Sequence, residues 1–266
     1  MNGDDRVKLS GIFDSHCHYD DHAFDDDREA VLGRLFDEDS SVCALMHAAT
    51  DERSSRYGIE MSKKYENYYT SVGFHPECID ELPDDPENVL RSLLSEDKKI
   101  KAVGEVGLDL HYEGSELNKQ LSLLRMQISI AKEYDLPLIF HCRDATEPFL
   151  ELIRETRPRG VVHCFSGSAE TACELVELGM YIGFTGVLTF KNAKKAKKAF
   201  EAVPIERILL ETDCPYMAPE PYRGKRCDSF MIAEIAKVGA EIKGIFPQEL
   251  IDAARENTGR LFSIDF

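Results

Sequence analysis

The chain has 266 residues, 43% of them hydrophobic and 30% charged, with a formal net charge of −17. That apolar share supports a sizeable core and excludes global disorder, and no run approaches the ~18 consecutive apolar residues of a membrane span. So acidic a chain is a poor sequence-independent coat for nucleic acid or an anionic membrane, although bound cations can still give an enzyme a local positive field for a polyanion.

In chain order, the first residues, Met1 to Arg6, lack the basic and then apolar pattern of a secretory signal, so a cytoplasmic location is expected. Short β-branched or apolar runs then alternate with longer amphipathic stretches. Strands are expected at residues 11–16, 41–47, 68–74, 100–105, 136–141, 160–163, 180–185 and 207–212. Helices are expected at 51–64, 85–95, 115–134, 145–156, 168–178 and 193–202, with two more, 231–242 and 247–262, after the last strand. In the third of these, Leu117, Leu121, Leu124, Ile128 and Ala131 recur at helical spacing. The carboxylates Asp25 to Asp27 and Asp84 to Asp85 read as solvated helix starts, at the positive end of the dipole. The lysine-rich stretch 191–198 reads as a solvated helix face.

Eight strand–helix alternations predict an α/β fold, a (β/α)8 TIM-like barrel, in preference to a doubly wound open sheet. No dinucleotide-binding or P-loop glycine motif follows the first strand. Without a repeat or a linker-like shift in composition, residues 1–266 are expected to form one barrel domain.

Chemistry concentrates at one end of those strands. Five of the eight histidines, His16, His18, His75, His141 and His163, lie at or just past predicted strand C-termini, the face that holds the active site of a barrel. His16 and His18, two apart on a strand, share a face. Glu105 ends the fourth strand between glycines, and its two oxygens can bridge cations. Asp109 is expected beside the ligands rather than among them. Asp213 follows a buried apolar run, where a carboxylate is costly unless paired or ligated. His16, His18, Glu105, His141, His163 and Asp213 together suit one or two divalent ions. Arg143 lies two residues past His141, on the same side. His22, His47 and His111 read as surface or hydrogen-bonded structural histidines. Cys17, Cys142, Cys164 and Cys214 each follow an expected ligand, so strand alternation should turn them away as buried, reduced thiols.

The ordered set of motifs now carries a resemblance. Asp14-Ser-His-x-His18, Gly73-Phe-His-Pro76, Gly104-Glu-Val-Gly-Leu-Asp109, His141-Cys-Arg-Asp-Ala145, His163-Cys-Phe-Ser-Gly167, Glu211-Thr-Asp-Cys-Pro-Tyr216 and Asn257-Thr-x-x-x-Phe262 closely resemble the TatD-like metal-dependent deoxyribonucleases of the amidohydrolase superfamily. The likeness runs from about residue 12 to residue 262. It implies that His16, His18 and Asp213 bind one metal, His141 and His163 a second, and that Glu105 bridges them. The ions would be Mg, Mn or Zn. It further implies that His75, Arg143, Arg223, Lys225 and Arg226 face the substrate phosphate. One departure is visible: the family usually continues past Arg226 with Asn, an acidic residue and Pro, whereas this chain has Cys227, Asp228 and Ser229.

The implied activity is two-metal hydrolysis of DNA phosphodiester bonds, as an exonuclease, with Asp213 as general base and Glu105 and His75 completing the catalytic set. DNA, as single strands or duplex ends, is then the expected partner, with no membrane and no obligate protein partner. One alternative is an ester or amide hydrolase on the same cage, such as one acting on a D-aminoacyl-tRNA bond. A second, a non-catalytic metal-binding scaffold, would need a broken ligand set, and every ligand is present.

Overall fold

The computed structural model describes residues 9–265. Its strands are β1 (Ile12–Cys17), β2 (Val42–His47), β3 (Tyr68–Val72), β4 (Ile100–Asp109), β5 (Leu138–Arg143), β6 (Gly160–Val162), β7 (Tyr181–Phe184) and β8 (Ile208–Leu210). Each pairs in parallel with the next, in sequence order. Parallel strands are covered on both faces, which is why they read as nearly continuous apolar runs. The helices are α1 (Arg28–Leu35), α2 (Glu52–Lys64), α3 (Pro86–Leu94), α4 (Leu117–Glu133), α5 (Thr146–Thr156), α6 (Ala169–Glu177), α7 (Lys194–Ala202), α8 (Ile232–Lys243) and α9 (Pro247–Phe262). This is the expected barrel of alternating strands and helices.

Helix starts follow the local chemistry. Asp51 accepts the Ser54 N–H at 2.7 Å, Asp85 that of Asn88 at 3.1 Å and Ser168 that of Thr171 at 3.2 Å, each satisfying a donor left over at a helix N-terminus. Helix α1 has no place among the helical stretches read from periodicity. It is only eight residues long, and Val31, Leu32 and Leu35 are its buried positions. Its start was legible, because Asp27 stands at its N-cap.

Two packed layers position the site. Inside the barrel floor, Phe13, Met46, Ile139, Val161 and Leu209 meet Leu261, Phe262 and Ile264 from the C-terminal end. A larger cluster fills the space between strands and helices. The floor is therefore sealed, and the opposite, C-terminal end of the strands stays open.

Three departures from regular strand geometry aim the site residues. The β1–β2 register shifts between Asp14 and Cys17; such bulges re-aim side chains near active sites. Strand β4 continues to Asp109, four residues beyond the expected end at Glu105. It lies close against β5 because residue 107 is glycine: a Cβ there would sit 1.8 Å from the His141 carbonyl oxygen, at φ +158°. Strand β8 stops at Leu210, and Asp213 adopts a left-handed φ of +59°. The β8–β1 seam is closed by an isolated parallel β-bridge between the backbones of residues 17 and 214 and by two backbone hydrogen bonds, His18 N–H to Cys214 O at 2.8 Å and Asp213 N–H to His16 O at 2.9 Å.

Candidate active site

Glu105 lies at the centre of the open end. Its Oε1 faces His163 Nε2 at 2.7 Å, His141 Nδ1 at 3.1 Å and His75 Nε2 at 3.5 Å. Its Oε2 faces His16 Nε2 at 3.3 Å and His18 Nε2 at 3.6 Å. Asp213 Oδ1 lies 3.3 Å from His18 Nε2 and 3.6 Å from His16 Nε2. The fold thus brings His16, His18, Glu105, His141, His163 and Asp213 together from five different strands or strand ends, with His75 beside them. Their potential ligand atoms form three overlapping triads, His16/His18/Asp213, His16/Glu105/His163 and His75/Glu105/His141, each within 4.8 Å.

Hydrogen bonds on the far side of two rings fix which nitrogen faces inward. His141 Nε2 lies 2.8 Å from Asp109 Oδ2, so Nε2 carries the proton and Nδ1 turns a lone pair toward Glu105. His75 behaves in the opposite way. Its Nδ1 accepts the Glu77 N–H at 3.2 Å, so the neutral ring carries its proton on Nε2, the atom that faces Glu105. His75 therefore presents a donor toward the cavity, whereas the neutral form of His141 presents a lone pair.

The electrostatics follow from burial and crowding. Burial and the neighbouring His163 lower His16 to about 4. Burial opposes protonation of His18 and His141 too, but Asp213 raises the first to about 10, and Asp109 and Glu105 raise the second to about 9. Glu105 is held well below the usual carboxylate range despite its burial, by His163, His16 and His75. His16 Nε2 and His18 Nε2 are 3.1 Å apart, and His141 Nδ1 and His163 Nε2 are 3.2 Å apart. Facing imidazole lone pairs repel unless a proton or a cation lies between them. With two carboxylates completing the set, these donors fit divalent transition metals and magnesium-like ions.

The cage opens into a cavity of about 710 Å³ lined by His18, Glu105, His141, His163, Asp213, His75 and Arg143, among others. From residue 13 to residue 263 the sequence matches the family model described as TatD related DNase. The chain belongs to the TatD family. It is 37% identical to an uncharacterized metal-dependent hydrolase, YabD, of Bacillus subtilis, over 96% of this chain and 100% of that protein. A solved TatD homolog from Escherichia coli, YjjV, superposes with a TM-score of 0.89 at 31% identity, covering 96% of this chain and 98% of that one. A hydrolase of the TatD family from Entamoeba histolytica superposes with a TM-score of 0.85 at 25% identity, over 97% and 100% of the two chains. This TatD-family protein is a metal-dependent hydrolase, and its fold is the TIM-like barrel of those relatives.

The expected substrate-side cations separate in this TatD-family chain. Arg143 lines the cavity, with its guanidinium 5.3 Å from the Tyr112 ring centre. Arg223, Lys225 and Arg226 lie outside its lining. Arg223 stacks on Phe190 at 4.3 Å and Lys225 lies over Tyr222 at 5.7 Å. Arg226 makes a bidentate pair with Asp27 at 2.7 Å and donates to the Ala23 carbonyl.

The departure at Cys227, Asp228 and Ser229 is absorbed by the barrel seam. Cys227 is fully buried and Asp228 caps the turn at Ser229–Met231 by accepting the Phe230 N–H. Ser229 Oγ donates to Asp14 Oδ2 at 2.6 Å and lies 2.8 Å from the Tyr19 hydroxyl. Asp14 also accepts from Thr212 Oγ1 at 2.5 Å, Thr212 N–H at 3.0 Å and His16 N–H at 3.3 Å. A proline at 229 would supply neither the hydroxyl nor the N–H that reaches Tyr19. Ser229→Ala should therefore cost about 1–3 kcal/mol, the penalty for a buried acceptor losing a donor. An unchanged urea midpoint would show that the contact contributes nothing.

Sequence reasoning missed Asp14 and Glu211 as parts of the site. Glu211 accepts the Cys164 N–H at 2.5 Å and its Oε1 lies 3.8 Å from His163 Nδ1; burial pushes it up to about 8. A signal existed for both: each is a carboxylate inside or at the end of an apolar strand, two residues before His16 or Asp213. Asp109 lies 2.8 Å from His141, behind the ring. His22 is exposed, His111 pairs with Asp144 at 2.7 Å, and His47 is buried against Ser54.

The cysteines need a correction. All eight are free thiols, and no cysteine enters a metal-type cluster among the described residues. Cys17 and Cys214 are fully buried in the outer layer. Cys142 and Cys164, however, line the cavity. For Cys164 the alternation argument does not apply, because β6 ends at Val162 and the residue has a left-handed φ of +45°. Burial pushes both thiols up, Cys142 to about 12, so neither is a ready thiolate.

Proposed function

We propose that this hydrolase cleaves phosphodiester bonds of DNA, trimming nucleotides from an end, with two divalent ions, Mg, Mn or Zn, sharing Glu105. The observation that carries the reading is the division of that one carboxylate: Oε1 toward His141 and His163, Oε2 toward His16 and His18. His16, His18 and Asp213 would hold one ion, and His141 Nδ1 and His163 Nε2 the other. Bound there, such ions neutralise phosphate charge and bring the pKa of water toward neutrality.

The chain's own residues supply the remaining chemistry. Asp213 lines the cavity and takes a proton from the attacking water as general base. Arg143 neutralises charge on the non-bridging phosphate oxygens. His75 presents its Nε2 proton to the phosphate or to the leaving oxygen. Arg223 and Lys225, outside the cavity, meet the strand farther along. The family's description as DNases supports the substrate class. With a net charge of −17, few phosphates are neutralised away from the mouth, so salt dependence should be shallow.

The test is a metal-free preparation assayed on end-labelled single- and double-stranded DNA, with each cation added back. The expected product is a ladder shortening from one end, faster on single strands. Immediate internal cuts would remove the exonuclease part. No DNA cleavage with Mg²⁺, Mn²⁺ or Zn²⁺, beside clear hydrolysis of an ester or a D-aminoacyl-tRNA, would overturn the nuclease reading in favour of that alternative.

A further inference from the structure

Two tyrosines at the cavity mouth are exposed in a way their neighbours do not explain. Tyr112 is 56% exposed and Tyr216 is 52% exposed, and both line the cavity. Tyr112 follows β4 and Tyr216 follows β8, so in an eight-stranded barrel they stand on opposite walls. Each is tethered by its hydroxyl. Tyr216 donates to Asp21 Oδ2 at 2.7 Å, and the Tyr112 hydroxyl accepts from Arg143 Nη1 at 3.4 Å. The His111 ring packs edge-on against Tyr112 at 5.2 Å. Both rings are held in place while about half of each stays in solvent, Tyr112 with the Arg143 guanidinium 5.3 Å from its centre, so each is prepared to stack on something flat. Met217, 41% exposed, extends the apolar surface beside Tyr216.

We propose that Tyr112 and Tyr216 are stacking platforms for the nucleobases on either side of the bond to be cut. The proposal rests on the phosphodiester reading above and deepens it. The cation that meets the phosphate, Arg143, touches one of the two rings, so a base on Tyr112 leaves its own phosphate next to the guanidinium. Stacking on tyrosine tolerates any sequence, because every base has a π-face. It also requires bases not already stacked in a duplex, so single strands and frayed ends are the substrates that fit.

The experiment uses metal-loaded protein and two oligonucleotides, one natural and one carrying abasic sites at the terminal positions. Tyr112→Ala and Tyr216→Ala should each raise KM on the natural single strand about tenfold, with a much smaller change in kcat. Phenylalanine at either position should restore most of that loss, because the ring remains. On the abasic strand the gap between wild type and the alanine variants should close. A terminal 2-aminopurine should lose fluorescence on rapid mixing with wild type, before product forms, and not with the alanine variants. If wild type cleaves natural and abasic strands equally well, stacking is refuted while the phosphodiester reading stands. If phenylalanine loses as much as alanine, the tyrosines only brace their loops and the proposal fails. If neither strand is cleaved, the phosphodiester reading itself falls.

Discussion

Asp213→Asn should lower turnover by about a hundredfold to ten-thousandfold, the range for losing a positioned general base, while at least one metal stays bound. The amide keeps the shape of the side chain and a neutral oxygen ligand, and all four imidazoles remain. What disappears is the oxygen able to hold a proton taken from water. Asp213 suits that role because its φ of +59° and the Asp213 N–H to His16 O bond of 2.9 Å hold its carboxylate beside His18 at the cavity wall. Elemental analysis beside steady-state kinetics separates the two effects. Turnover within a few-fold of wild type would remove Asp213 as the base. Turnover lost together with all metal would make it a ligand only.

Glu105→Gln should instead strike the metal content itself. Glu105 is 3% exposed and faces five imidazoles, so its charge is the counterweight to any cation placed among them. Glutamine preserves the volume but replaces one anionic oxygen with an N–H₂ group that repels a cation. Metal per chain should fall by at least half, and activity by more than tenfold. Circular dichroism should show the barrel intact, since the packed floor beneath the site and the layer between strands and helices do not depend on that charge. Wild-type metal content in the variant would show that Glu105 is not a shared ligand. The two substitutions thus differ in kind: one removes chemistry and leaves the ions, the other loosens the ions.

Much of this was readable without coordinates. A parallel barrel buries both faces of its strands, so its strands appear as apolar runs and its helices as amphipathic stretches, a local pattern that needs no knowledge of neighbours. The residues gathered at the open end were legible for a related reason. Polar residues that end apolar runs, as His141 and Asp213 do, stand at the one face of a barrel where a polar group has work to do. One short element was the exception. Helix α1, only eight residues long, offers too few positions for a period to emerge.

What the sequence alone determined was therefore the type and order of the elements and the identity of the residues gathered at one end. Tertiary structure decided the directions. Which nitrogen of His75 and of His141 turns inward depends on Glu77 and Asp109, hydrogen bonds made by residues on the far side of each ring. Arg143 reaches the cavity while Arg226 is claimed by Asp27, 199 residues away in the chain. Ser229 joins Asp14, 215 residues away, across the seam where the last strand meets the first. Periodicity and spacing report each segment's relation to a core. They carry no record of which distant partner completes a charge or a hydrogen bond, because that pairing exists only once the barrel has closed.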